Sequence, residues 1–324
     1  MKKFSFNTMD INKIGKFKCE YINDFTITDV SSNKIIKNNS LTFFNEWVEK
    51  ENENISCQGC LIIVPLNANL SDEIKNNNYI IYSKNPRMKY AVILDSILKF
   101  SCKARIYRQL DNYVVIGENV EIGKFTRMEP FVFIDHDVVI ADNCIIKSGV
   151  KIGSYVQIGK STTIRENSVI GGQGFGIEKD SSGKTFRIPH LGGVVIGKNV
   201  EIGALNTLVS GTIDATIIED FVKTDDHVHI AHNCNIKKST LITACVEISG
   251  SVTIGKNCTI GPNSSLMNKI SLGENSIVGL GTVVTKSFPA NVVLAGNPAD
   301  TMENVKKNRI AQKKIFKEIY DNKA

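Results

Sequence analysis

The sequence predicts a mainly β protein organised around a parallel β-helix. Aliphatic side chains recur at every sixth position over Ile116–Ile170, Ile196–Leu208 and Ile218–Val284, with Thr224 as the polar member of the third run. A period of six fits neither an α-helix nor one half-buried strand. It fits short strands joined by tight turns, three hexads to a coil, with one aliphatic side chain per hexad pointing to a common axis. The residue after the aliphatic one is often glycine, and we expect these glycines to supply the turn angles.

Composition sets the class of protein. The chain has 324 residues, 42% of them hydrophobic and 22% charged, which is ordinary for a globular protein with room for two domains. The net charge of +6 is mild and much of it lies near the carboxyl terminus, so it does not indicate a nucleic-acid partner. The amino terminus and the rest of the chain lack a long apolar run. We expect a cytoplasmic protein without stable membrane insertion and with reduced thiols.

Eight cysteines are present, and two patterns account for five of them. Cys144, Cys234 and Cys258 each follow a hexad aliphatic by four positions, where a small buried side chain fits, so we interpret them as packing thiols. Cys57-Gln-Gly-Cys60 is a single C-x-x-C without a second pair, which does not favour zinc. The remaining three are Cys19, Cys102 and Cys245. We expect no metal site.

Residues 1–110 lack the hexad pattern and are predicted to form a small α/β domain. Leu61–Val64 and Tyr79–Tyr82 have the composition of short strands. Pro86 suits a first helical turn, and apolar residues then recur at helical spacing. They are Tyr90, Ile93, Leu94, Ile97 and Leu98.

The β-helix is predicted over residues 111–300, with a long loop at 171–193 and a basic helix at 301–324. The loop begins at Gly171 and ends at Gly193 with a polar centre; it is either a functional segment or a tolerated insertion. A smaller frame slip falls near 211–217. The final helix carries six basic residues within 306–317, and it either caps the β-helix and packs against partner subunits or meets an anionic acyl donor.

The candidate chemistry lies in Asp225–Asn233, which holds three of the five histidines. Within the hexad frame Ile230 points inward, so His232 falls near a coil corner facing outward. A histidine there, near carboxylates, can act as a general base at neutral pH. The alternative is a solvent-exposed histidine without a role.

At these residues the chain resembles the hexapeptide-repeat acyltransferases, and specifically the UDP-3-O-acylglucosamine N-acyltransferases of lipid A synthesis. The matching segments are Gly174-Phe175-Gly176, Ile188-Pro189-x-Leu191-Gly192, His229-Ile230-Ala231-His232-Asn233 and Gly250-Ser251. The amino-terminal domain resembles that family's nucleotide-binding domain through Ser40-Leu41-Thr42-Phe43-Phe44 and Lys84-Asn85-Pro86. The resemblance covers most of the chain and is most specific in its middle.

The resemblance implies a left-handed β-helix, a homotrimer with active sites between subunits, and transfer of an acyl group from a thioester to a sugar amine. It implies His232 as the general base, Asp225 as the group that orients or charge-stabilises His232, and the backbone N–H of Gly250 as an oxyanion donor. Substrate-binding residues would be Phe43, which would stack on a nucleotide base, with Phe175 and His190 shaping the sugar pocket and Asn233 and Lys269 beside the site.

Several positions depart from the lipid A enzymes. Asn268-Lys269 stands in place of a Gly-His pair, Asp226 in place of an Asn, and His190 in place of a Gln; Glu49 replaces the second base-stacking aromatic, with Trp47 nearby. The ending Ala295-Gly296-Asn297-Pro298-Ala299 resembles that of acetyl-CoA-dependent nucleotide-sugar acetyltransferases, which makes Gly296, Asn297 and Pro298 candidate donor-binding residues.

We therefore expect an N-acyltransferase that moves an acyl group, acetyl from acetyl-CoA by preference, to a nucleotide-linked amino sugar for surface polysaccharide synthesis. The alternative is a lipid A UDP-3-O-acylglucosamine N-acyltransferase that uses a 3-hydroxyacyl group on acyl carrier protein. Two other classes are a γ-type carbonic anhydrase with zinc on His190, His227 and His232, and a non-enzymatic scaffold.

Overall fold

The computed structural model describes residues 4–20, 24–48, 55–101 and 105–321. Glu49 and Cys102, both considered above, lie outside the described residues. The chain divides into two compact units, one formed by residues 1–105, 175–192 and 212–214 and the other by residues 106–174, 193–211 and 215–324. The segments of the loop at 171–193 are thus shared between the units.

The second unit is a left-handed parallel β-helix whose walls are three sheets of eight, ten and ten strands. The first sheet comprises Glu121–Ile122, Val139–Ile140, Val156–Ile158, Val194–Ile196, Thr216–Ile218, Asn235–Ile236, Thr253–Ile254 and Ser271–Leu272. The second comprises Arg127–Met128, Ile145–Ile146, Thr163–Ile164, Glu201–Ile202, Lys223–Thr224, Leu241–Ile242, Thr259–Ile260, Ile277–Val278, Val293–Ala295 and Asp300–Thr301. The third comprises Arg108–Gln109, Val115–Ile116, Phe133–Ile134, Lys151–Ile152, Val169–Gly172, Thr207–Val209, His229–Ile230, Glu247–Ile248, Ser265–Leu266 and Val283–Val284.

The hexad aliphatics form the core, as predicted. In the third sheet Ile134 pairs with Ile152, and Ile230 pairs with Ile248, so that each aliphatic side chain stacks on its equivalent one coil away. These four side chains are fully buried. Full burial of an aliphatic side chain stabilises a protein by about 1.5–3 kcal/mol. The stack of hexad aliphatic side chains, called the aliphatic ladder below, is therefore the main source of stability in this unit. In the first coil Ile122 is 37% exposed, because no coil covers it from the amino-terminal side.

The glycines of the hexads allow the backbones of adjacent coils to approach each other closely. The prediction that these glycines supply the turn angles is wrong. A Cβ on Gly153 would lie 2.5 Å from the carbonyl oxygen of Gly171, and a Cβ on Gly261 would lie 2.7 Å from the backbone nitrogen of Leu280. The left-handed backbone conformation is found three residues after the aliphatic instead, for example at Asn167, Asn233 and Asn257. Asparagine tolerates that conformation better than most residues with a Cβ.

The three cysteines of the hexad pattern are packing thiols, as interpreted. Cys144, Cys234 and Cys258 are buried and free. Each sulfur lies 3.2 Å from a carbonyl oxygen about one coil onward, to which the thiol donates. Burial raises the pKa of all three thiols, to about 11 for Cys234. They stay protonated at neutral pH, as packing requires.

The first unit contains a five-stranded sheet in the order Lys18–Glu20, Tyr79–Ser83, Leu61–Pro65, Ser40–Phe43, Asp29–Val30. The two predicted strands are therefore confirmed. The predicted helix is found at Pro86–Phe100, where the side chain of Asn85 accepts from the backbone N–H of Met88 and caps the first turn. Its buried face carries Tyr90, Ile93, Leu94 and Ile97.

Shorter elements complete the first unit. They are the antiparallel pair Phe6–Asn7 and Thr26–Ile27, the 3₁₀ turn Thr8–Asp10, the helices Ile11–Ile14 and Asp72–Asn77, and the hairpin Ile177–Lys179 with Thr185–Arg187. The hairpin occupies the centre of the predicted loop 171–193. Its two strands pair in antiparallel register, with Glu178 opposite Phe186.

The β-helix unit begins with strand Arg108–Gln109 and the 3₁₀ turn Asp111–Tyr113, and it ends with the helix Met302–Asp321. Along this helix Ile310, Ile315, Phe316 and Ile319 are each at least 50% exposed. Among the described residues no helix combines the length and apolarity needed to cross a bilayer.

Candidate active site

His232 lies at the corner of the β-helix between the third sheet and the first. The corner connects strand His229–Ile230 to strand Asn235–Ile236. Ile230 is fully buried and His232 is half-buried, so the ring faces outward as predicted. Since the hexad aliphatic must fill the core, its position fixes which residue reaches the corner.

Asn233 holds the ring of His232. The Asn233 Oδ1 atom lies 2.9 Å from His232 Nδ1, and an amide oxygen only accepts, so Nδ1 carries the proton and Nε2 carries the lone pair. Asn233 adopts φ 59°, and its backbone N–H donates to Thr216 Oγ1 at 2.9 Å. We predicted Asn233 as a substrate-binding residue; the structure shows its side-chain oxygen bound to the histidine.

Gly250 lies against the other edge of the same ring, one coil onward. A Cβ on Gly250 would come within 2.8 Å of both Cε1 and Nε2 of His232. The backbone N–H of the next residue, Ser251, donates to the carbonyl oxygen of His232 at 2.8 Å. The absence of a side chain at Gly250 is what leaves room for the imidazole at this corner.

Lys269 continues the same corner by one further coil. Its backbone N–H donates to the carbonyl oxygen of Gly250 at 3.0 Å, and its side chain is exposed. Asn268 beside it is also exposed. His232, Gly250 and the Asn268–Lys269 pair therefore form a column along one edge of the β-helix.

Asp225 lies at a different corner of its own chain. It follows strand Lys223–Thr224 of the second sheet, whereas His232 follows a strand of the third. Asp225 is exposed, and its Oδ1 accepts the backbone N–H of Asp226 at 2.8 Å. One side of the triangular coil therefore separates Asp225 from His232 within the chain.

Asp226, one of the positions at which this chain differs from the lipid A enzymes, accepts hydrogen bonds from other residues of the β-helix. Its Oδ1 accepts from Arg165 Nη1 at 3.0 Å and from the backbone N–H of Ala204 at 2.8 Å. Sequence reasoning missed Arg165 and Thr216 as supports of this region. Arg165 lies 61 residues before Asp226, a separation that includes the irregular segments, so the hexad spacing could not reveal that pair. Thr216 lies 17 residues before Asn233, close to one coil, so the spacing could have suggested it.

The candidate donor-binding residues Gly296, Asn297 and Pro298 form an exposed turn at the carboxyl end of the β-helix. The carbonyl oxygen of Gly296 accepts the backbone N–H of Val283 at 3.0 Å. The Asn297–Pro298 peptide bond is cis.

The remaining candidate residues belong to the first unit. Phe43 is half-buried at the end of strand Ser40–Phe43, with its ring 4.8 Å from that of Tyr90. Trp47 packs edge-on against Phe44, with ring centroids 4.9 Å apart, and not against Phe43.

Phe175 and His190 lie at the two ends of the inserted hairpin. Phe175 is 81% exposed, and the guanidinium of Arg187 lies 5.7 Å from the centre of its ring. His190 is buried, its Nδ1 lies 2.8 Å from the carbonyl oxygen of Ile188, and Gly176 leaves the space that its ring occupies. Gly176, which follows Phe175 in the sequence, is thus also the residue that makes room for the His190 ring.

The histidines of the zinc alternative are dispersed. His227 is exposed at the corner that also carries Asp225, and His190 is buried in the first unit. Among the described residues no group of three or more His, Cys, Asp or Glu side chains could hold a metal ion.

Comparison with known proteins identifies the repeat. Residues 251–286 match the family described as "Bacterial transferase hexapeptide (six repeats)". The chain is 33% identical over 216 residues to the UDP-3-O-acylglucosamine N-acyltransferase of Coxiella burnetii, an alignment covering 66% of this chain and 63% of that protein. It is 37% identical over 132 residues to the enzyme of that name from Bordetella parapertussis, covering 40% of this chain and 35% of that one.

Two solved structures share the fold. The UDP-N-acetylglucosamine acyltransferase from Campylobacter jejuni matches with a TM-score of 0.53 and 24% identity, over 60% of this chain and 73% of that one. LpxA from Acinetobacter baumannii matches with a TM-score of 0.50 and 25% identity, over 62% of this chain and 75% of that one.

Proposed function

We propose that this hexapeptide-repeat protein, a left-handed β-helix similar to the UDP-3-O-acylglucosamine N-acyltransferases, moves an acyl group from a thioester to the amine of a UDP-linked amino sugar. The observation that carries the proposal is the corner at which Asn233 holds Nδ1 of His232 while Gly250, which has no side chain, lies against the Nε2 edge of the ring. A cytoplasmic location and a homotrimer are parts of the same proposal.

His232 is the general base in this proposal. Because Asn233 accepts the Nδ1 proton, the lone pair is at Nε2, the atom on the Gly250 side of the ring. Nε2 takes a proton from the sugar amine as the nitrogen attacks the thioester carbon. A positioned base of this kind contributes about 10²–10⁴-fold to the rate.

Gly250 supplies the oxyanion donor. The tetrahedral intermediate carries negative charge on the former thioester oxygen, and a backbone N–H directed at that oxygen stabilises it. The contact between Gly250 and the Nε2 edge supports this role, since base and oxyanion donor must meet at the same carbon. Glycine also lets the donor approach the backbone closely.

Asp225 acts across a subunit boundary. It lies one side of the coil from His232 in its own chain, so its proposed role requires that the Asp225 corner of a second copy face the His232 corner of the first. Co-expression of His232→Ala chains with Asp225→Asn chains tests this. Activity should reappear in the mixed assemblies, because some sites then combine an intact His232 with an intact Asp225. Activity no higher than that of either variant alone would overturn the arrangement.

The residues that contact the nucleotide base, the sugar and the thioester donor are assigned by resemblance and by local structure. Phe43, whose ring lies 4.8 Å from that of Tyr90, stacks on the nucleotide base, and Phe175 and His190 shape the sugar pocket. Lys269 contacts the substrate next to His232 along the same edge. Gly296, Asn297 and Pro298 contact the thioester donor at the end of the β-helix.

Two candidate reactions differ in the acyl group that is transferred and in its donor. The names of the relatives support the lipid A alternative, in which a 3-hydroxyacyl group on acyl carrier protein is the donor, over the acetyl group that we expected from the sequence. Acetyl-CoA remains a second candidate because the ending Ala295–Ala299 and the Asn268–Lys269 pair differ from the lipid A enzymes. The chain aligns with only 63% of the length of the Coxiella burnetii relative.

A donor and acceptor matrix tests the proposal. The purified chain is assayed with 3-hydroxyacyl carrier protein or acetyl-CoA against UDP-3-O-acylglucosamine, other UDP-amino sugars and dTDP-amino sugars. Transfer from the carrier protein to UDP-3-O-acylglucosamine supports the first candidate, and transfer only from acetyl-CoA supports the second. Absence of transfer in every combination would refute an acyltransferase.

Two histidine variants complete the test. His232→Ala should lower turnover by about a hundredfold or more. His229→Asn is the control: it changes a half-buried histidine on a strand of the third sheet, outside the corners that carry His232 and Asp225, and it should leave turnover unchanged. Equal losses in both variants would contradict the assignment of the base.

A further inference from the structure

We propose that Cys57 and Cys60 form a dithiol site that a low-molecular-weight disulfide converts into an intramolecular disulfide. The site lies in the first unit and includes none of the residues assigned above to catalysis or substrate binding. It is independent of the proposed function, because the chemistry depends only on the two sulfurs and their surroundings.

The chain brings the two sulfurs together in a tight turn. Cys57 and Cys60 flank Gln58 and Gly59, and Gly59 has φ +69°, a conformation that a side chain would strain. The Cys57 thiol donates to Oδ1 of Asn78 at 3.8 Å, and the Cys60 thiol donates to the carbonyl oxygen of Lys37 at 3.2 Å. Each of the two side chains is also the largest single influence on the pKa of the other, so the sulfurs lie near each other in the reduced protein. Both cysteines are free and buried.

Asn78 fixes the turn from the other side. Its Oδ1 accepts the backbone N–H of Cys60 at 2.9 Å and lies 3.8 Å from the Cys57 sulfur. Its Nδ2 donates to the carbonyl oxygens of Cys57 and Ile74, each at 3.0 Å. Since Asn78 is fully buried and bound on both sides, the turn holds the two cysteines at a constant separation.

The surroundings favour a thiolate at Cys60 over one at Cys57. The Cys57 side chain lowers the pKa of Cys60 to about 7, aided by the Ser40 hydroxyl and the backbone N–H groups of Ser40 and Asn39. The Cys60 side chain and burial raise the pKa of Cys57. When the pair loses one proton, Cys60 therefore carries the charge, and the thiolate is the form that exchanges with disulfides.

A cavity gives access to one sulfur of the pair. Its volume is about 250 Å³, and Cys57, Gln58, Glu73, Ile74 and Asn77 lie in its wall. Cys60 is 0% exposed and Cys57 is 5% exposed. Cys57 is thus the sulfur that meets an incoming reagent, and Cys60 is the sulfur that completes the reaction.

The reaction balances with a disulfide RSSR as oxidant. The Cys57 proton moves to the Cys60 thiolate, and the Cys57 thiolate attacks one sulfur of RSSR, which breaks the S–S bond and releases one RS⁻ that takes a proton from solvent to give RSH. Cys60 then attacks the Cys57 sulfur of the mixed disulfide, which releases the second RS⁻, and this RS⁻ takes the proton that Cys60 gives up. The two cysteine sulfurs lose two electrons in total, RSSR is reduced to two RSH, and of the two protons on RSH one comes from the cysteine pair and one from solvent.

Peptide mapping after exposure of the folded chain to oxidised glutathione tests the proposal. Trypsin cuts after Lys50 and Lys75, so both cysteines fall in the peptide of residues 51–75, which contains no other cysteine. After alkylation of remaining thiols this peptide should appear unalkylated and lighter by two hydrogens, and dithiothreitol should restore the alkylated form. Full alkylation after exposure, or a persistent glutathione adduct on Cys57, would overturn the proposal.

Two variants establish the order of attack. In Cys60→Ser a glutathione adduct should accumulate on Cys57, and in Cys57→Ser the buried Cys60 should remain unmodified. Cys245, which is exposed in the β-helix unit, should form an adduct in every variant and serves as the internal control. Modification of Cys60 in Cys57→Ser at the rate seen for Cys245 would contradict the role of the cavity.

Discussion

Gly250 is in contact with the imidazole of His232 across one step of the β-helix, so closely that a Cβ on Gly250 would lie 2.8 Å from Nε2. The two residues lie in adjacent coils, and their contact results from the parallel pairing of strand His229–Ile230 with strand Glu247–Ile248. The position of the His232 ring therefore depends on the missing side chain at Gly250, one coil away, as well as on the hydrogen bond between His232 and Asn233.

Gly250→Ala should displace this ring. The added methyl group requires His232 to move, and a misplacement of about 1 Å at a reacting group can cost about a hundredfold in rate. Turnover should fall by at least tenfold while thermal stability changes little. Gly172→Ala is the control, because a Cβ there would meet only Val169 Cγ1 at 3.7 Å. Unchanged turnover in Gly250→Ala would show that the contact has no role.

Asn233 should act as a positioning residue. Asn233→Gly keeps the left-handed backbone but removes the acceptor from His232 Nδ1, so the Nε2 tautomer is no longer fixed. We expect kcat to fall about tenfold or more. Asn233→Asp retains an acceptor and should recover most of the turnover. A rise in KM without a fall in kcat would instead indicate the substrate contact predicted from the sequence.

Truncating a side chain of the aliphatic ladder should lower the free energy of unfolding most in the middle coils of the β-helix. Ile248→Ala creates a cavity at a fully buried position and should lower the free energy of unfolding by about 2–5 kcal/mol. Ile122→Ala, at a 37% exposed position in the first coil, should cost less than about 1.5 kcal/mol. Urea titration of both variants measures the difference. Equal midpoints would indicate that the coils do not share a continuous core.

Alkaline pH should weaken the β-helix through its buried thiols. Burial raises the pKa of Cys234 to about 11, so the folded chain keeps a proton that an unfolded thiol loses above about pH 8.5. This contribution to stability is complete below pH 8.5 and declines as pH rises towards 11; the loss for Cys234 is about 2 kcal/mol at pH 10. Cys144 and Cys258 act in the same direction.

Cys234→Val separates this effect from other titrations. Valine occupies the equivalent position one coil onward, at Val252, and cannot ionise. Urea midpoints of the parent and the variant, measured at pH 7 and pH 10, should show a smaller decline for the variant. Identical declines would mean that Cys234 is not protonated in the folded state at pH 10.

The sequence by itself determined the β-helix, the inward aliphatic ladder and the outward corner of His232. A strict period of six leaves one way to bury every sixth side chain, so the identity of the core and of the corners follows from counting. Pro86 and the helical spacing after it likewise determined the helix Pro86–Phe100, because both signals are local.

Only the tertiary structure decided how the site residues are partnered. The period brings coils into register, but it does not specify that Asn233 turns its oxygen towards His232, that Gly250 vacates space for the ring, or that Asp225 lies at another corner. It also misassigned the hexad glycines, whose role is close approach between coils. The physical reason is that these features depend on side-chain rotamers and on contacts between chain segments, whereas a repeat in the sequence records only which positions recur.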